Sequence, residues 1–597
     1  MNKWKFTLSR RELLQGLGSV FLATQAHGAS RFLASTQNFQ SRYKNEYPNI
    51  PENHIELPKN GKKVLIIGAG LSGLISACEL LDRGFDVTIL EKSPRAGGKL
   101  ISWRDKNFGK PSQEPSWNGH PLEHGTHAVC WFYRNFREFL YRKNLRIRKK
   151  ITNSPYGLLQ LVYTDGTLDD RHVSNLPPPF HALEIMKDLK KINKTNKNIS
   201  YDLQQFLRFI SFDSENASEV KYLDSISTKN WAEKIGFSNA FVSAFIDPIL
   251  EMSNFKTGDT SSALAWHRFI DSTLGQRADL ANFQFFQDST EDTVIQPLVQ
   301  YIYSKGGKFY FNTEVIQFFE KNKHITGVKT GSLNGKVYIC PICGEMHFYN
   351  PKKCQRCGYM GNDFVNPVVP EEEFSSDYYL FAVDPLNAKR ILIQEPFTQF
   401  DEFARIRELP VGRVTTAFIW YSGNTWYKHF EERESIFFTG FPYLKTTMNL
   451  TYLKPNSYKN FNADILEIQI SPGEITNALT DHEVASAVDK DLRSIMPELP
   501  PFLDFRVHRI DNFSSVTVGS EKTRPPIFNS LDNFFILGDY VSLNHKAIFM
   551  EKVAVVAKTV VNHILEREHL NEAKIKILSS ETPNLMVKTI RKVLHVL

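Results

Sequence analysis

No stretch of this chain stays apolar over the roughly 20 residues that a membrane-spanning helix needs. The best candidate, residues 13–26, is interrupted by Gln15, Gly16 and Gly18 and is too short and too polar to cross a bilayer. Charge of one sign is equally scarce. Lysine and arginine number 72 against 65 acidic residues, a net +7, and no basic run is dense enough to argue for nucleic acid. Cysteine is sparse too: six in 597 residues, four of them between positions 340 and 357. What remains, 42% hydrophobic and 23% charged, suits a large globular chain of three or four folding units.

The most informative segment is VLIIGAGLSGLISACELLDRGFDVTILEKSPRAGG, residues 64–98. Residues 64–67 have strand propensity, Gly68, Gly70 and Gly73 make a tight turn, and 74–81 continue at helical spacing. Gly68 permits the turn, Gly70 lets backbone approach a pyrophosphate, and Gly73 lets the helix pack on its strand, so the free amides of the helix start can hold phosphate. A second strand, 86–90, ends at Glu91, where a carboxylate can accept hydrogen bonds from ribose hydroxyls. Past it, Arg95, Gly97, Gly98 and Lys99 put a cation and bare backbone where the other side of a dinucleotide would lie. The acid followed by R-x-G-G points to FAD rather than NAD. It resembles the flavoprotein superfamily of amine oxidases, protoporphyrinogen oxidases and carotenoid desaturases.

Further motifs narrow the likeness. LEHGTH (122–127) with Tyr133-Arg134-Asn135 resembles the E-x-G-x-H and Y-x-N pattern of phytoene and zeta-carotene desaturases; LPPPFHAL (176–183) is similar to their Leu-Pro-Ala-Pro segment, and Ile419-Trp420-Tyr421 to their Leu-Trp-Phe strand. Thr523-Arg524-Pro525 precedes NFFILGDY (533–540), close to their closing motif. The matches run in order from about Lys62 to Leu565. The resemblance implies that Val315 lies against the adenine and Met550 beside the ring; independently, Gly538-Asp539 at a strand end could hold ribityl hydroxyls while a helix over 547–564 starts at the flavin. One departure stands out: relatives show Met-Glu-Gly-Ala where this chain has Met550-Glu551-Lys552-Val553.

Hydride removal from an allylic C–H needs alignment and dryness more than a dedicated triad, so no catalytic residue is assigned, and His127 is a lining candidate. The expected substrate is an apolar isoprenoid, with a quinone or similar electron acceptor. A flavin amine oxidase, or a flavin and metal electron carrier, are the alternatives.

Cys340, Cys343, Cys354 and Cys357 form two C-x-x-C-G knuckles ten residues apart, the spacing of one tetrahedral four-thiolate site. Zinc is the expected ion; iron, as in rubredoxin-like knuckles, and a pair of disulfides are the alternatives. The module sits as an outgrowth on a loop of the flavin domain, expected to face solvent or a partner. Strands are expected over 308–315, 325–330 and 377–383, after a helix over 293–304.

The expected class is α/β: a Rossmann-like FAD-binding domain (61–150, 293–335, 371–395, 523–567), a discontinuous α+β substrate domain (151–292, 396–522) and the inserted zinc-ribbon or rubredoxin-like module (336–370). Residues 1–29, with Ser9-Arg10-Arg11-Glu12-Leu13-Leu14, resemble a twin-arginine signal, implying periplasmic export of a folded protein, and 30–60 read as a leader. In the tail, 568–597, Met586, Val587, Ile590, Val593, Leu594 and Leu597 share one helical side with Lys588, Arg591 and Lys592 interspersed, which suits either a membrane surface or the chain's own domain.

Overall fold

The computed structural model describes residues 55–579 apart from 110–118, 131, 144, 146–158, 172–201, 203–204, 207, 210, 274–282, 332–337, 341–345, 348–350, 355–359, 362–363, 365–370 and 459–460. The twin-arginine segment, the leader up to residue 54, the 176–183 motif and the tail from residue 580 onward therefore lie outside the described residues. Among the described residues no helix is long and apolar enough to cross a membrane.

The chain opens as β1 (Lys63–Ile67), α1 (Leu71–Leu81) and β2 (Asp86–Leu90), and α2 (Arg134–Arg142) follows. Later stretches supply β3 (Lys308–Tyr310), β4 (Tyr378–Phe381), β5 (Phe534–Ile536) and α3 (Phe549–Arg567). The five strands form one parallel sheet in the order β5-β4-β1-β2-β3. Runs such as Val64 to Ile67 and Tyr378 to Phe381 are buried on both faces, as parallel strands covered by helices must be. α3 packs on α1 and α2 across one side.

The expected strand over 308–315 is two elements. Lys308–Tyr310 edges the parallel sheet, Asn312 takes a left-handed φ of 52°, and Val315–Lys321 starts a separate antiparallel hairpin with His324–Thr330. Asn533 ties that hairpin to the sheet: its amide donates to the carbonyls of Ile325 (2.9 Å) and Asp377 (3.1 Å) and accepts from the Ile325 N–H (2.9 Å). α3 begins at Phe549 rather than 547, because Phe549 itself sits at φ 53°.

A seven-stranded sheet makes the second lobe: Phe502–Ser514, Val411–Ser422, Ala463–Ile470, Thr446–Asn449, Ser435–Phe438, Leu159–Val162 and Leu168–Arg171 in spatial order, antiparallel except where Ser435–Phe438 meets Leu159–Val162. Strands from both stretches assigned to the substrate domain thus meet in one sheet, and a helical cluster around Trp231 and Trp266 packs beside it.

The cysteine insert leaves the hairpin at a closed neck, where Thr330 N–H donates to Glu372 O (2.9 Å) and Lys329 pairs with Glu373. It does not simply face solvent: Cys340 and Cys354 are both buried, in an apolar cluster with Trp103, Phe108 and Trp420.

A seam of polar bonds joins the lobes. Residues 123–127 are stitched to the large sheet by Thr416 Oγ1 donating to His124 O (2.7 Å) and by Glu467 accepting from Thr126 N (2.5 Å) and Oγ1 (2.9 Å). At its centre Glu123 takes the ammonium of Lys454 (2.6 Å), both side chains 2% exposed, with the Thr290 N–H (3.2 Å) and His127 Nδ1 (3.3 Å). Burial alone would raise the Glu123 carboxyl; Lys454 and the His127 hydrogen bond outweigh it and hold the group at about 2. A carboxyl lowered by folding stabilises the fold above its ordinary titration range and stops doing so as pH falls toward the folded value, so this contribution disappears between about pH 5 and about pH 2. Lys454→Met leaves that carboxylate buried without its partner and is expected to cost about 3–5 kcal/mol in urea unfolding at neutral pH, with Lys454→Met/Glu123→Gln recovering part of the loss.

Candidate functional site: a dinucleotide cavity between the lobes

The glycine turn is shaped by close contact. Gly68 has φ 105°, and a Cβ there would stand 2.6 Å from Ala382 O; a Cβ on Gly73 would stand 2.2 Å from Gly68 O and 3.2 Å from Ile66 Cγ2. α1 therefore starts against the end of β1, with Gly70 at its N-cap and no side chain capping it. The N–H groups of that first turn are left for a ligand. Gly70 forms a bridge with Gly97, so the two glycine segments lie backbone to backbone.

That turn is one end of a cavity of about 630 Å³. Gly68, Gly70, Glu91, Arg95, Gly97, Gly98, Lys99, Val315, Gly538, Asp539 and Met550 all line it, whereas Gly73 packs behind the turn. Glu91 is buried; its oxygens accept from Ala69 N (2.7 Å) and Ser93 N (2.8 Å), and burial, opposed by those two bonds, raises its carboxyl. Val315 opens its strand, 3% exposed. Lys99 Nζ meets Asp539 Oδ2 at 2.9 Å; burial pushes the Asp539 carboxyl up, but Lys99 prevails and holds it below the usual range.

The cavity also has an apolar wall. Phe269 from a helix (Ala263–Thr273) and Phe283 and Phe285 from a short strand line it together with Phe437 and Met448 from the seven-stranded sheet and Ile548 and Phe549 at the start of α3, beside the cationic Arg268 and Lys552. His127 lines the wall through its ring while Nδ1 faces Glu123.

Several contributors were not assigned from the sequence. Glu551 lies next to Met550 but turns away from the cavity's chemistry: its carboxylate accepts from Asn135 N (2.9 Å), Asn135 Nδ2 (2.8 Å) and Phe136 N (3.1 Å), capping α2. The Y-x-N and Met-Glu motifs are thus two halves of one contact, a pairing that their joint occurrence could have suggested. Arg524 lines the cavity and is fixed by Glu521 (2.9 Å), Ser514 Oγ (3.0 Å) and Ser515 O (3.2 Å).

FAD fits what is present. Glu91 and the α1 start would hold the ribose and pyrophosphate, Asp539 the ribityl chain, and the apolar wall would receive the ring. The cysteine knuckles are only partly within view: Cys343 and Cys357 lie outside the described residues, and among the described residues no group of three or more metal-ligating side chains occurs.

Comparison with known proteins agrees with this geometry. The chain is 22% identical over 560 residues to the zeta-carotene desaturase of Zea mays, spanning 90% of this chain and 89% of that protein. It is 22% identical over 507 residues to the 15-cis-phytoene desaturase of an Oncidium hybrid cultivar, 82% and 75% respectively. Among solved structures, cyclohexylamine oxidase from Brevibacterium oxydans superposes with a TM-score of 0.55 at 16% identity, covering 85% of this chain and 99% of that one. Residues 71–340 and 361–565 match the family described as flavin containing amine oxidoreductase, and the chain belongs to that family as an FAD-dependent oxidoreductase.

Proposed function

We propose that this oxidoreductase removes hydride from an apolar, linear isoprenoid of the carotene type and passes the electrons to a quinone or similar acceptor. The observation that carries the reading is the continuity of one cavity from the dinucleotide turn to an aromatic and aliphatic wall drawn from both lobes. FAD, when bound, supplies the hydride acceptor. The chain's own work is positional: Lys99 and Asp539 steady the cofactor's middle, and Phe269, Phe283, Phe285, Phe437 and Met448 hold an apolar chain and exclude water.

Anaerobic titration of the FAD-loaded protein with polyenes of the zeta-carotene type is expected to bleach the oxidised flavin's visible absorbance, and a soluble quinone to restore it. Bleaching by amines and not by polyenes would reverse the assignment in favour of amine oxidation, the activity named for cyclohexylamine oxidase.

Three further assignments belong to this reading. The insert is proposed to hold zinc on Cys340, Cys343, Cys354 and Cys357, iron being the alternative; the short pair Tyr338–Ile339 and Met346–His347 flanks the first knuckle, and Cys340 and Cys354 are buried, which supports it. Elemental analysis is expected to give one zinc per chain, lost in Cys343→Ser together with a fall in Tm; iron would bring its own visible bands, and a metal-free protein refutes the site. The amino-terminal Ser9-Arg10-Arg11 pattern supports export to the periplasm by the twin-arginine route. Arg10→Lys/Arg11→Lys is expected to retain the protein in the cytoplasm, and unchanged export would disprove that route. The basic tail is assigned to a membrane surface: truncation near Ser580 is expected to abolish flotation with anionic liposomes, and equal flotation of the truncated protein removes the assignment.

A further inference from the structure

Lys552, the residue that breaks the family's Met-Glu-Gly-Ala pattern, is in the first turn of α3, is 7% exposed and lines the cavity. α3 starts from Ile548 without a side-chain cap, so its free N–H groups and this ammonium share one end of the cavity. The neighbours from other elements are fixed to one another. Arg268 and Arg524 both bond Glu521 (3.0 and 2.9 Å), and Asp539 is bound by Lys99 (2.9 Å). Among the described residues no hydrogen bond or ion pair engages the Lys552 ammonium, although its backbone N–H donates to Ile548 O (3.2 Å). Asp224 accepts from the Glu521 N–H (3.3 Å) and faces the same two arginines, so Lys552, Arg268, Arg524 and Lys99 stand against Glu521, Asp539 and Asp224 near an uncapped helix start, and the one ammonium of this group left without a partner is that of Lys552, which an anionic guest would balance.

We propose that Lys552 is a flavin-tuning residue: its ammonium, together with the start of α3, stabilises the negative charge that the isoalloxazine carries once it has accepted a hydride. The proposal rests on the FAD reading above. The apolar wall gives a hydrocarbon substrate no use for a buried cation, whereas a reduced flavin gains an anion in this part of the site. Burial, together with Arg524 and Arg268 and against the pull of Glu521 and Asp539, brings the Lys552 ammonium down to about 7. A lysine so placed is charged when an anion lies beside it and sheds its proton easily when none does.

Sulfite, whose adduct also leaves negative charge on the ring, is the probe, with the FAD-loaded full chain, Lys552→Met and Lys552→Arg compared. Lys552→Met is expected to bind sulfite at least tenfold more weakly and to lower the equilibrium constant for two-electron flavin reduction at least tenfold, about 30 mV. Lys552→Arg should retain both, and its advantage over the unaltered protein should widen from about pH 6 to about pH 9, as lysine but not arginine loses its proton. A flavin-loaded Lys552→Met with unchanged sulfite affinity and potential overturns the proposal, as does one that loses only affinity for a polyene carboxylic acid, which would make Lys552 a substrate anchor. Unaltered protein that takes up no FAD defeats the flavin reading itself, a result visible before any variant is compared.

Discussion

The cofactor end of this molecule depends on backbone meeting backbone at the Gly70–Gly97 bridge. A Cβ on Gly98 would stand only 3.0 Å from Gly70 Cα, so any side chain there forces the segment carrying Arg95 and Lys99 away from the start of α1. Both pieces line the cavity, and their separation is set by two bare main chains with nothing compressible between them. Because Lys99 in turn reaches Asp539, the same contact governs where the strand end from the last part of the chain comes to rest.

Around that point buried carboxylates, two of them between the lobes and one between α3 and α2 within the first, would be costly if any partner were missing. Glu123 is answered by Lys454, Glu467 by Thr126, and Glu551 by the first N–H groups of α2. Each bond needs both of its segments correctly placed, so a small shift of one lobe leaves a buried anion unsatisfied. Apolar contacts tolerate sliding; these do not. The aromatic wall can therefore be generic in composition while the cavity keeps a fixed width.

The β1-α1-β2 unit was legible because its information is local: strand, turn glycines, helix and terminal acid fall within about 30 residues, and the physics of each is visible in its neighbours. The motif 122–127 was recognisable as a pattern, yet its work as a seam was not, since Lys454 lies 331 positions from Glu123. Likewise 416 positions separate Asn135 from Glu551. The single strand expected over 308–315 failed for a local reason that composition hides: Asn312 tolerates a left-handed turn, so two apolar runs that read as one belong to different sheets. Lys552 was conspicuous in sequence as a departure, but its meaning depends on Arg268, Glu521, Arg524 and Asp539, which only the fold assembles.

The closed neck of the cysteine insert has an implication for how such a chain diversifies. Thr330 and Glu372 complete their ladder whatever lies between them, so the surrounding sheet is indifferent to the length of the excursion, and loop-closure entropy rises by only about 0.6 kcal/mol for each doubling of it. A graft at this junction can be acquired, enlarged or discarded with little penalty to its host. The burial of Cys340 and Cys354 against Trp103 and Trp420 indicates that here the guest has since become part of the host's own interior.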